Sequence, residues 1–200
     1  MLATSLRQTS TSQTSLPPAG GFCYAMSLAV TGVNIVTTDG PSGRIGLTVS
    51  AVSSVSAEPP MLLVCVNQKS VACNAIRGNG YFAVNVLAAS QQSVAETFSG
   101  SDKHGSAFTF ADDQWLAKTT GSPVLQGAVA TFECEIESAV AAATHTIFIG
   151  RVIATTECAA TPLLYTNRGY GRPLCSVGRR SGAQPITGAT AASEQSLACS

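Results

Sequence analysis

Short runs of β-branched residues, punctuated by turn chemistry, restrict this chain more than any other feature. Val33–Thr38 and Ile45–Val52 are two such runs, with Asp39-Gly40-Pro41-Ser42-Gly43 between them. An Asp-Gly step followed by Pro and Gly reverses the backbone, so the pair predicts a β-hairpin. Met61–Asn67 is an apolar strand beginning directly after Pro59-Pro60, and Phe82–Leu87 is another. Val129–Glu137 and Thr144–Thr156 are longer, alternate in character and are expected to pair antiparallel. Two short helices interrupt the series. One covers Ser70–Arg77, ended by Gly78 and Gly80; the other covers Ser90–Phe98, capped by Ser90 and stopped near Gly100. Strands outnumber helices, and their spacing suits hairpins rather than βαβ units. The expected fold is mainly β, a closed or nearly closed antiparallel barrel with a few peripheral helices.

Composition narrows the function classes. The 200 residues suit one domain, and only 11% of them are charged, with 11 basic and 11 acidic side chains cancelling. Nucleic acid is excluded as a partner on this balance, because neutralising phosphates needs clustered Lys and Arg. The chain is 45% hydrophobic, yet its longest apolar runs, such as Met61–Val66, fall well short of the roughly 20 residues of a membrane helix. A membrane location is not expected. So many apolar and so few charged residues favour a compact core plus a homo-oligomeric interface. Seven cysteines include no Cys-x-x-Cys pair, no apolar leader opens the chain, and no Asn-x-Ser/Thr sequon occurs. A cytoplasmic protein with reduced, mostly buried thiols is expected. Residues 1–20 and 176–200 are Ser, Thr, Gln, Gly and Ala-rich and are read as tails, leaving a folded domain over 21–175.

Taken singly, the candidate sites are ambiguous. Gly40-x-x-Gly43-x-x-Gly46 has dinucleotide-loop spacing, but a strand pattern follows it where a helix N-terminus is needed, so it reads as a turn. If Thr48–Ser56 is one strand, Thr48, Ser50 and Ser54 share a face and Ser53 opposes them. That face could bind a phosphate or a polar ring edge, or merely meet solvent. Lys69-Ser70 stands where a strand meets a helix, a place suited to an anion and equally to plain solvation. His145 heads an apolar strand, and His104 lies in the polar loop 100–105. No Ser-His-Asp order, Gly-x-Ser-x-Gly or metal-spaced pair appears.

The ordered series of motifs is more specific than any member of it. Thr31-Gly32-Val33-Asn34-Ile35-Val36-Thr37-Thr38, Gly46-Leu47-Thr48-Val49-Ser50 and Ser54-Val55-Ser56-x-x-Pro59-Pro60 are followed by Phe82-Ala83-Val84-Asn85-Val86-Leu87 and Phe98-Ser99-Gly100. Then come Gly121-Ser122-Pro123-Val124-Leu125, Glu133-Cys134, His145-Thr146-Ile147-Phe148-Ile149-Gly150 and Pro162-Leu163-Leu164-Tyr165 with Tyr170. Over about residues 22–172 this series resembles the flavin-reductase-like family, the NAD(P)H:flavin oxidoreductases of two-component monooxygenases. The resemblance implies a split β-barrel that dimerises with flavin near the subunit interface. It implies FMN or FAD as flavin and NADH, or NADPH, as reductant.

The same resemblance implies that Thr31, Gly32 and Val33 lie near the isoalloxazine. Thr48, Val49, Ser50, Ala51, Ser53 and Ser54 would line the flavin, Lys69 and Ser70 approach its phosphate, and Phe82 and Asn85 border the site. His145, assisted by Tyr170, would reach the nicotinamide. No protein acid or base is required for hydride transfer, no metal is implied, and reduced flavin would diffuse to a separate oxygenase. The family usually has Gly-Asp before the histidine, whereas this chain has Ala143-Thr144. That departure sustains the alternative of a flavin-binding electron carrier with little NAD(P)H oxidase activity.

Overall fold

The computed structural model describes residues 18–99, 108–111 and 113–174. Most of the expected N-terminal tail, the C-terminal tail and His104 fall outside these residues, although Ala19 and Gly20 already belong to a helix, α1 (Ala19–Ser27). The strands are β1 (Thr31–Gly32), β2 (Asn34–Thr38), β3 (Ile45–Val49), β4 (Val52–Ala57), β5 (Pro60–Asn67) and β6 (Tyr81–Val86). They continue as β7 (Trp115–Ala117), β8 (Pro123–Leu125), β9 (Ala130–Ala142), β10 (His145–Glu157), β11 (Leu164–Thr166) and β12 (Gly169–Gly171). Helices α2 (Val71–Asn79) and α3 (Gln92–Phe98) complete the set, α3 preceded by a 3-10 turn at Ala89–Gln91.

Seven strands form one antiparallel sheet in the order β3-β2-β6-β9-β10-β5-β4. The two outermost strands, β3 and β4, are consecutive in sequence, so the sheet must roll until its edges meet. They meet at Ser50-Ala51, where Val52 N donates to Ser50 O at 3.0 Å and Cys65 N donates to Ala51 O at 3.1 Å. This seam gives a split antiparallel barrel, as expected. It also corrects the single strand expected over Ile45–Val52. β3 pairs with β2, whereas β4 pairs with β5 and carries a register shift between Ser54 and Ser56. A chain that changes partners at Ser50 cannot keep one alternation through Ser54, so the shared hydroxyl face does not form.

The sheet order also explains why all five residues of β2 are buried. Val36 faces the barrel interior with Val64, Phe82, Val84 and Phe148, and α2 closes this core with Cys73 and Ile76. Ile35 faces outward into a second core with Leu87, Ala95, Phe98, Trp115 and Leu163. There Phe98, Phe110 and Trp115 pack edge to face, with centroids 4.9–5.5 Å apart. Ser70 caps α2 by accepting from Ala72 N at 3.3 Å, and Gly80 ends it in the left-handed region at φ 76. Ser90, expected to cap the second helix, lies instead inside the 3-10 turn, and Gln91 precedes α3 without a capping bond. Cys73 and Cys134 are buried, but Cys65 and Cys158 are half-buried and Cys23 is exposed, so the thiols are less hidden than expected.

Candidate functional site

A two-residue turn builds one wall of the site. Asn167 and Arg168 both take positive φ, 47 and 61, which is the geometry of a tight hairpin whose twist matches its strands. That turn sets Tyr165 directly opposite Tyr170, with ring centroids 5.3 Å apart. β11 then pairs with β1, Thr31 opposite Tyr165 and Gly32 opposite Leu164, and Thr31 Oγ1 donates to Tyr165 O at 3.4 Å. Thr31 and Gly32 thus carry the tyrosine hairpin. Val33, one residue on, faces the opening.

The opening is a cleft of about 230 Å³ lined by Val33, Thr48, Val49, Ser50, Ser99, Tyr165 and Tyr170. Its walls are aromatic and aliphatic and its rim carries hydroxyls. Thr48 Oγ1 donates to Ala95 O at 2.7 Å, so this hydroxyl fastens α3 to β3 and can only accept from a ligand. The Ser50 hydroxyl is exposed at the seam, next to the backbone atoms that join the barrel edges. Burial, then the negative charge of Glu96 and the neighbouring Tyr165, push the Tyr170 hydroxyl above its ordinary value, so it keeps its proton. A slot with flat apolar walls and a polar edge suits a planar heteroaromatic ring.

Lys69, Ser70 and His145 gather in a second place. His145 begins β10 opposite Asn67, the last residue of β5, and Gln68 Nε2 donates to His145 O at 3.0 Å. Thr144 Oγ1 lies 2.9 Å from His145 Nδ1. Lys69 and His145 are both exposed. Cys65, bonded to Ala51, is two residues from Asn67, so this polar patch begins roughly 7 Å along β5 from the seam, at about 3.3 Å per strand residue. Ser53 and Ser54 lie on the other side of the seam from this patch, exposed on β4 and opposite Leu63 and Leu62.

Phe82 and Asn85 reach neither place. Phe82 is fully buried in the barrel interior. Asn85 is fully buried too, and its amide is spent internally: Nδ2 donates to Ile35 O at 3.1 Å and Oδ1 accepts from Leu125 N at 2.8 Å. They shape the site from beneath rather than border it. Conversely, Tyr165 and Ser99 line the cleft although no role was expected of either. The signal for Tyr165 is a spacing: two tyrosines five apart, flanking a two-residue turn, must share one face of a hairpin. Among the described residues, no three His, Cys, Asp or Glu side chains group as a metal site, and no helix is long and apolar enough to cross a membrane.

Comparison with known proteins agrees with the motif series. The flavin reductase like domain matches residues 26–173. An FMN reductase (NADH), RutF of Variovorax paradoxus, is 44% identical over 154 residues, covering 76% of this chain and 84% of the relative. The RutF protein of Stutzerimonas stutzeri is 42% identical over 147 residues, covering 73% and 83% respectively. Among solved structures, BorF, the flavin reductase component of a bacterial two-component tryptophan halogenase, superposes with a TM-score of 0.71 at 31% identity, covering 78% of this chain and 98% of BorF. The NADH:FAD oxidoreductase SgcE6 of Streptomyces globisporus, in complex with NAD and FAD fragments, gives 0.70 at 31% identity, covering 78% and 93%. A barrel split at Ser50-Ala51, the aromatic-walled cleft beside it and these matches lead to one assignment: the chain belongs to the flavin reductase like family.

Proposed function

We propose that this protein is an NADH-dependent FMN reductase that supplies reduced flavin to a separate monooxygenase component. The observation that carries the reading is the cleft at the barrel seam, whose walls fit a flat ring and whose rim offers hydroxyls. FMN and NADH are preferred over FAD and NADPH because both quoted curated relatives bear the name FMN reductase (NADH). The partner follows from BorF, which is named as one component of a two-component halogenase. A cytoplasmic homodimer accords with the low charge and with exposed apolar side chains such as Phe22, Tyr24 and Val140.

A flavin held by Val33, Val49, Ser50, Tyr165 and Tyr170 would supply the acceptor for a hydride from the nicotinamide. The chain's part is positioning, which removes much of the entropic barrier to bringing two rings together. Val33 and Val49 exclude water from the ring face, and Tyr165 and Tyr170 form the opposing wall. Ser50 offers a donor to the polar ring edge, favouring the reduced, more negative form. Lys69 supplies a cation for the phosphate end, and Ser70 keeps the adjacent helix start in place through its cap on Ala72. His145, steadied by Thr144, faces solvent at the edge of the same patch and orients the nicotinamide.

Loss of nicotinamide absorbance in the presence of FMN, FAD, riboflavin or no flavin tests this. Fast turnover that needs added flavin and is best with FMN is expected. Negligible turnover by a protein that retains bound flavin would establish the electron-carrier reading instead.

A further inference from the structure

Behind Tyr170 lies a second cavity, of about 340 Å³, lined by Ala89, Ser90, Gln92, Leu163, Tyr170, Gly171 and Arg172. Tyr170 is the residue common to it and to the flavin cleft. Its chemistry differs from that of the cleft: the Arg172 guanidinium, the Gln92 carboxamide and the Ser90 hydroxyl line it together with the aliphatic Ala89 and Leu163. Arg172 makes no ion pair among the described residues, which is notable in a chain where charge is scarce. Arg151 pairs with Glu135 and Glu137, Arg44 stacks on Phe110 and Arg77 lies over Phe148, whereas Arg168, in the hairpin turn and lining neither cavity, also makes no ion pair among the described residues. A guanidinium beside a cavity, unpaired among the described residues, is a ready partner for a phosphate, which it can grip with two parallel bonds.

We propose that this second cavity holds the adenosine diphosphate half of NADH, with Arg172 on the pyrophosphate, and that Tyr170 is the partition around which the dinucleotide bends. The inference rests on the flavin reductase reading. A nicotinamide ring stacked in the cleft must leave the rest of its dinucleotide outside, and the far side of Tyr170 is the adjoining cavity with a cation. A specificity consequence follows. Gln92 Nε2 donates to Glu96 Oε1 at 3.0 Å, and the Glu96 charge is felt at Tyr170. A carboxylate held by the cavity-lining Gln92 repels the extra phosphate dianion of NADPH more than it disfavours NADH.

The test compares wild type with Arg172→Ala and Arg172→Lys, using NADH and reduced nicotinamide mononucleotide, which lacks the adenosine half, as alternative reductants. Loss of one charge-assisted contact is expected to raise the KM for NADH about tenfold in Arg172→Ala, with partial recovery in Arg172→Lys and no comparable rise for the mononucleotide. ADP-ribose is expected to compete with NADH in the wild type and to lose that competition in the alanine variant. Glu96→Gln is expected to lower the KM for NADPH more than that for NADH. An unchanged KM for NADH in Arg172→Ala overturns the proposal. So does a rise in the KM for FAD but not for NADH, because the cavity would then serve the adenosine half of the flavin. If no flavin supports NADH oxidation, the functional reading fails, and calorimetric titration of ADP-ribose into both proteins still decides the cavity: equal affinities refute it.

Discussion

The resemblance to flavin reductases puts both Asn85 and Lys69 at the flavin, yet the fold treats them oppositely. Asn85 is buried and spends its amide on Ile35, Thr37, Pro123 and Leu125, pinning β8 to the barrel. Lys69 is exposed, and among the described residues only its backbone amide is engaged, donating to Asn67 Oδ1 at 2.9 Å. The same division separates Phe82 from His145. Side chains whose polar atoms are consumed inside hold the frame, and those whose polar atoms face outward are available to a ligand. The resemblance does not separate the two groups; their burial does, and for Asn85 the hydrogen-bond partners as well.

The largest effect that separates them is expected from Asn85→Ala. It strands the Leu125 amide in a dry environment and takes a donor from the Ile35 and Pro123 carbonyls; each buried group left unpaired costs about 1–3 kcal/mol, so a loss on the order of 3 kcal/mol is expected in urea denaturation. Lys69→Ala is expected to change stability by no more than about 0.5 kcal/mol, as exposed substitutions do, while weakening FMN affinity measured by fluorescence quenching. If both variants lose stability equally, or if Lys69→Ala binds FMN as the wild type does, the division between frame and ligand patch collapses.

Gly150→Ala probes the frame from the other side. A Cβ at Gly150 would stand 2.5 Å from Phe82 Cζ and 2.8 Å from Cys134 Cβ, both inside the barrel. Overfilling a close-packed core costs about 1–3 kcal/mol, so a clear drop in thermal midpoint is expected. Phe82→Leu in the same chain is expected to restore part of it, because the clash is with the tip of that ring. No recovery in the double variant would mean that the backbone, rather than Phe82, sets the limit at Gly150.

Hairpins, the two helices and the barrel class were legible in the sequence because each rests on local chemistry: Asp39-Gly40 for one turn, β-branched runs for strands, Gly80 for a helix end. The break at Ser50-Ala51 was not. Its cause is a change of partner from β2 to β5, and Thr48–Ser56 carries no proline, glycine or charge to announce it. β11 and β12 are three residues each, too short for any periodicity, so the tyrosine wall was visible as a motif and not as a hairpin. Asn85 shows the same limit at the level of one side chain. Its partners lie 38–50 residues away in sequence, and no window around it contains the information that its amide is already used.

The comparison extends to alkaline pH. Burial first, and the adjacent Glu133 charge second, push the Cys134 thiol from 9.0 up to about 12. Below pH 9 the thiol is protonated in both the folded and unfolded chains and contributes no slope. Above it the unfolded chain releases the proton while the fold retains it, so this group lowers stability by about 1.4 kcal/mol per pH unit until the folded thiol itself ionises. Denaturation midpoints measured from pH 8 to 11 are expected to fall, and Cys134→Ala to flatten the slope while lowering stability near pH 8, where the thiol is protonated in both states. A slope unchanged in that variant would assign the alkaline loss to other groups.

The smallest effect concerns the turn that holds His145. Ala143 occupies φ 49, a left-handed conformation that strains an L-residue with a Cβ by roughly 1–2 kcal/mol. Glycine removes that strain but raises the entropy of the unfolded chain by about 0.4–1 kcal/mol, so Ala143→Gly is expected to stabilise by only some tenths of a kcal/mol up to about 1. The variant therefore separates two uses of the turn. Ala143→Gly should raise the thermal midpoint slightly with the KM for NADH unaltered, because Thr144 still reaches His145 Nδ1. His145→Ala should leave the midpoint in place and raise the KM for NADH, with FMN affinity nearly intact. Should Ala143→Gly raise the KM as much as His145→Ala does, the strained turn itself would be part of the nicotinamide site, and the boundary between frame and ligand patch would run through Ala143 rather than beside it.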